Sequence, residues 1–140
     1  MNFLKAGMHK LPEYMQLRQA VESNALPAVA TGLSGINKAT IINALVQDTN
    51  KTALLLAADE AEAQRICQDL TSMGLRSFIY PTRDFTFRNV ESASREYEHQ
   101  RIQVLSRILK HDCDVVVACM DAALQYTIPP NELEGRMIEL

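Results

Sequence analysis

Apolar and polar positions along the chain switch repeatedly between a helical period and short continuous apolar runs. From Leu11 to Asn24, Met15, Leu17, Ala20 and Val21 supply packing positions behind Pro12. Proline suits the first turn of a helix, where its missing N–H would have no partner anyway. Pro27-Ala28-Val29-Ala30-Thr31 predicts a first strand, and Asn37 to Val46 predicts a helix with Ile41, Ile42, Leu45 and Val46 on its apolar face. Thr52-Ala53-Leu54-Leu55-Leu56-Ala57 is apolar without a break, as expected of a strand covered on both faces. Asp59 to Met73 is the clearest helix: Ala63, Ile66, Cys67, Leu70 and Met73 recur at three- and four-residue steps, and Gly74 closes it. Ser77-Phe78-Ile79-Tyr80 predicts a third strand ended by Pro81, and a loop through Arg83-Asp84-Phe85 follows. A long helix is expected from Ser94 to Lys110, burying Ile102, Leu105, Ile108 and Leu109. Asp114-Val115-Val116-Val117-Ala118-Cys119 predicts a fourth strand, and a short helix from Asp121 should end before Pro129.

Strands alternating with helices imply right-handed crossovers and a parallel sheet, so the expected fold is α/β with three layers, the sheet flanked by helices. The length of 140 residues fits one domain. Residues 1–128 carry that pattern. The stretch 129–140 does not; there Leu133, Met137, Ile138 and Leu140 read as the start of an element left incomplete, as in a cut through a larger protein.

Composition narrows the function. A hydrophobic fraction of 47% supplies a core, while a net charge of −3 provides no global field to recruit nucleic acid. With no Trp and 6% aromatic residues, a stacking platform for single strands is not expected. The three cysteines form no C-x-x-C pair, and Cys67 and Cys119 lie in apolar surroundings, as small buried hydrophobes do. Met1-Asn2-Phe3-Leu4-Lys5 lacks the order of a secretory leader, and no apolar run approaches the ~18 residues of a membrane span. A cytoplasmic protein with no membrane partner is expected.

The main candidate chemistry lies in Gly32-Leu33-Ser34-Gly35-Ile36-Asn37-Lys38-Ala39-Thr40. A phosphate-binding loop reads G-x-x-x-x-G-K-[ST], with backbone N–H groups around the phosphates, lysine on the terminal ones and the hydroxyl on Mg²⁺. Gly32, Gly35 and Lys38 match that loop, and Thr40 follows it; but Asn37 replaces the last glycine and Ala39 the metal-binding hydroxyl. A methyl group ligates no metal, so the loop reads as degenerate, at best a weak anion site at a helix N-terminus. No hydrophobic strand ending in Asp-Glu supplies the missing metal carboxylates. Asp59-Glu60 imitates such a pair, but Asp59 stands at an N-cap, and Glu60 and Glu62 suit the positive end of a helix. Asp121 reads the same way. Arg83, Arg88, Arg95 and Arg101 could meet nucleic-acid phosphates as one face, although Glu91, Glu96 and Glu98 lie among them and favour a solvated ion-pair surface. Tyr97, His99 and His111 share no metal-ligand spacing. No catalytic and no metal-binding residue is expected.

The loop, together with Leu54-Leu55-Leu56-Ala57-Ala58-Asp59-Glu60, Tyr80-Pro81-Thr82-Arg83-Asp84, Glu91-Ser92-Ala93-Ser94-Arg95-Glu96 and Gln100-Arg101-Ile102-Gln103-Val104-Leu105, resembles the transcription-repair coupling factor (Mfd) family. The likeness lies with the family's amino-terminal, UvrB-like module, runs from about Leu11 to Pro130, and includes Val115-Val116-Val117-Ala118-Cys119 before the inserted domain. It implies a P-loop NTPase-like, helicase-like (RecA-like) half-domain that is no enzyme itself. The parent would be an ATP-dependent DNA translocase whose ATP and Mg²⁺ bind outside this segment. It also implies UvrA as a partner through the adjacent inserted domain, with RNA polymerase and duplex DNA meeting the rest of the factor. Between the third strand and the long helix, UvrB carries an aromatic-rich hairpin. Here Thr82 to Ser92 holds only Phe85 and Phe87, so damage probing of that kind is not expected. The rival expectation is a nucleotide- or DNA-binding helicase half completed by partner domains.

Overall fold

A computed structural model describes residues 6–83 and 91–136, with side chains omitted for 91–95. The chain runs through α1 (Pro12–Glu22), α2 (Gly35–Thr49), β1 (Ala53–Ala57), α3 (Glu60–Ser72), β2 (Ser77–Tyr80), α4 (Glu91–Leu109), β3 (Val115–Cys119), α5 (Met120–Leu124) and α6 (Pro130–Glu134). The three strands form a parallel sheet in the order β1-β3-β2. Ala53 of β1 and Ser77 of β2 both pair with Val115 of the central strand.

Helix placement follows from that order. The β1-to-β2 connection passes across β3 one way, and the β2-to-β3 connection returns the other way. Parallel crossovers of one hand therefore put α3 and α4 on opposite faces. One face buries Ala39, Val46, Ala63, Ile66, Leu70 and Leu75 against Val115 and Val117. The other packs Val104 and Ala122 against Val116 and Ala118. Buried on both sides, β3 has no polar residue, as expected of a central parallel strand. All three cysteines are buried, and burial pushes the Cys67 and Cys113 thiols above their ordinary range.

Outside the sheet, α1 is tied to α2 through Asp48, whose Oδ2 accepts from Tyr14 Oη at 2.6 Å and lies 2.7 Å from His9 Nε2. Burial first, then Asp48, pushes the Tyr14 hydroxyl above its usual pKa.

Three expectations need correction. Residues 27–31 form no strand, and Val29 is 85% exposed. An apolar stretch gains little from extension unless a ladder partner lies beside it, and here the sheet lies elsewhere. β1 is covered on one face only: Leu55 packs on the core, whereas Leu54 and Leu56 are 63% and 52% exposed. On α4 the buried positions are Arg101 and Val104; Ile102 and Ile108 face outward and Leu105 is half-buried. Of the 129–140 stretch, α6 is described, with Leu133 buried, and residues 137–140 lie outside the described residues.

Candidate functional site

The stretch 32–40 leads into the amino end of α2 and forms its first turns. Gly32 has φ +76°, a left-handed conformation that glycine adopts without strain. Among the described residues, a β-carbon at Gly32 or Gly35 would meet no protein atom within 4 Å, so the chain's own packing does not require glycine at either position. Ser34 is the N-cap, and its hydroxyl accepts from Asn37 Nδ2 at 3.0 Å instead of from a backbone N–H. Asn37 and Lys38 therefore lie in the helix's first turn. Thr40 sits two residues beyond Lys38 and turns its hydroxyl back to the Ile36 carbonyl at 2.9 Å.

Lys38 Nζ donates to Glu62 Oε1 at 3.1 Å, across from α2 to the first turn of α3. The second Glu62 oxygen accepts the Ala58 N–H at 3.1 Å, just past the end of β1. Those contacts, the Ala58 bond foremost, hold the Glu62 carboxyl below its ordinary pKa. The pairing places the loop beside the carboxyl end of β1, the edge where open α/β sheets bind ligands. Ala39 has no exposed surface and packs in the core with Ile66 and Leu70.

Asp59 caps α3 as expected, its Oδ1 accepting the Glu62 N–H at 2.7 Å. Asp121 differs: it lies inside the first turn of α5, whose N-cap is Cys119.

The four arginines do not make one outward row among the described residues. Arg88 and the side chain of Arg95 lie outside them. Arg101 is 2% exposed, its guanidinium 4.0 Å over the Tyr80 ring. Its Nη1 donates to the Pro81 carbonyl at 2.7 Å and to Gln125 Oε1 at 3.1 Å. Burial lowers the Arg101 pKa, and nearby Arg83 adds to the effect. Arg83 is half-buried, and its backbone N–H donates to the same Gln125 oxygen at 2.8 Å. Gln125 thus joins the β2 exit to α4, a role with no signal in the sequence. Glu62 is the other missed partner, since 24 residues separate it from Lys38.

These features define an α/β domain with a parallel sheet and a lysine-bearing loop beside its carboxyl edge. Over 104 residues, 73% of its length, the chain is 32% identical to the transcription-repair-coupling factor of Bacillus subtilis. The chain is thus related to the transcription-repair-coupling factors, and the match spans 9% of that protein. No family model matches the chain. No solved structure matches it either. Among the described residues no helix is long and apolar enough to cross a membrane.

Proposed function

We propose that this chain is a non-catalytic scaffold domain of a transcription-coupled DNA repair factor. In this reading it is a P-loop, helicase-like (RecA-like) half-domain whose nucleotide loop no longer works. The observation that carries the reading is the engagement of Lys38 by Glu62. In a working loop that ammonium meets the terminal phosphates; here a carboxylate occupies it. Burial of Ala39 in the core supports the same reading, because its position then offers nothing to a metal. The relationship to the Bacillus subtilis factor supports a place in transcription-coupled repair. As a scaffold the domain would hold an adjacent inserted domain that recruits UvrA. Release of stalled RNA polymerase and movement on duplex DNA would belong to other parts of the factor, along with its ATP and Mg²⁺.

The test is Lys38→Ala in the full-length protein that carries this chain. ATP turnover and displacement of stalled polymerase are expected to stay at the unsubstituted level. Loss of ATP turnover with the fold intact by circular dichroism would overturn the scaffold reading in favour of a working nucleotide site.

A further inference from the structure

The outer side of α4 forms a groove with α6 that neither the loop nor the sheet edge uses. Its volume is about 690 Å³, and Ile102, Ile128 and Leu133 line it together with His99, Lys110 and Arg136. Ile102 is 46% exposed, so the groove opens apolar surface to solvent. The basic residues stand on both helices' sides of it: His99 and Lys110 on and just past α4, Arg136 just past α6.

Glu132 and Glu134 stand on α6 on either side of Leu133, but neither lines the groove among the described residues. Asp112, the one acidic residue lining the groove among the described residues, is held by Arg76 Nη1 at 2.9 Å and Arg107 Nη1 at 2.7 Å. Arg107 is further fixed over the Phe78 ring at 4.5 Å. Among the described residues Lys110 and Arg136 have no acidic partner within ion-pair distance. The groove is therefore locally basic on a chain whose net charge is −3.

We propose that this groove between α4 and α6 docks an acidic amphipathic helix of a partner protein. The apolar floor selects protein over nucleic acid, because a phosphate backbone offers nothing to exposed Ile102 or half-buried Ile128. The stripe His99–Lys110 runs about 17 Å along α4 at 1.5 Å per residue, the length of three turns of a partner helix. Such a helix would seat leucines at i, i+3, i+4 and i+7 on the floor and set glutamates against Lys110 and Arg136. Charge complementarity of this kind mainly sets specificity and the rate of association.

The test titrates the purified chain into a fluorescein-labelled 18-residue helical peptide with that leucine spacing and glutamates on its flanks. The same peptide with lysines for the glutamates, and a 20-base-pair duplex, are run alongside. The glutamate peptide is expected to bind at least tenfold tighter than the lysine peptide. That preference should vanish in Lys110→Glu/Arg136→Glu, whose exposed positions leave the thermal midpoint unchanged. Ile102→Asp should weaken binding of the glutamate peptide by a similar factor, and Lys51→Glu, outside the groove, should not. Equal binding of the two peptides, no binding of either, or tighter binding of duplex that depends on the same residues would each overturn the proposal.

Discussion

Leu70 and Leu56 are the same residue type, and shortening each to alanine should give very different costs. Leu70 has no exposed surface and sits where α3 meets the sheet. Truncating such a leucine removes its transfer energy and leaves a cavity, a loss of about 3–5 kcal/mol. Leu56 is 52% exposed, on the uncovered face of β1. Full burial of a leucine is worth about 1.5–3 kcal/mol, so half of it at a position that leaves no cavity is worth about 1 kcal/mol. Against a total stability of roughly 5–15 kcal/mol, the first loss is severe and the second is minor. For a chain of this size, about 3–5 °C per kcal/mol separates a fall of some 10–20 °C for Leu70→Ala from about 4 °C for Leu56→Ala. Urea unfolding followed by circular dichroism reads both, and an unchanged slope with a shifted midpoint assigns the effect to stability. Equal losses at the two positions would refute the one-sided burial of β1 and restore the expectation of a strand covered on both faces.

Other outcomes follow from single contacts. Asp59→Ala should cost about 1 kcal/mol in urea unfolding, because the α3 N-cap bond to the Glu62 N–H is lost. Asp114 bonds to the Arg76 guanidinium and backbone, the guanidinium bond foremost, and its pKa is lowered. A depressed folded-state value means stability present above the unfolded carboxylate pKa and lost as pH falls through the folded one. Unfolding free energy should therefore decline below about pH 4, and Asp114→Asn should flatten that decline. Arg101→Lys should lower the unfolding midpoint, since an ammonium cannot both lie flat on Tyr80 and reach the Pro81 carbonyl and Gln125. An unchanged midpoint would mean that the stacked fork contributes nothing.

Helix α3 was legible because its pattern and its cap agree: Ala63, Ile66, Cys67 and Leu70 are buried, and Asp59 accepts the N–H that the cap position implies. The apolar run of β3 was legible for the same kind of reason, since a strand inside a parallel sheet has no polar face to confuse the reading. Residues 27–31 misled because strand propensity says nothing about whether a neighbour exists. Leu54 and Leu56 misled similarly, a continuous apolar run being silent on which face is covered. Arg101 could have been placed: it precedes the buried Val104 by three residues, on the same face of α4. The loop's departures at Asn37 and Ala39 were visible letter by letter, but its pairing with Glu62 was not, because only the packing of α2 on α3 brings the two together.

The measurement closest to the central claim is thermal unfolding of the chain with and without millimolar Mg·ATP. A ligand that binds only the folded state adds RT ln(1 + [L]/Kd), about 2.7 kcal/mol at a hundredfold excess over Kd. With Lys38 held by Glu62 and Ala39 in the core, the midpoint should not move. An upward shift of several degrees that Lys38→Ala abolishes would contradict the account, for it would mean that the loop releases Glu62 and binds nucleotide.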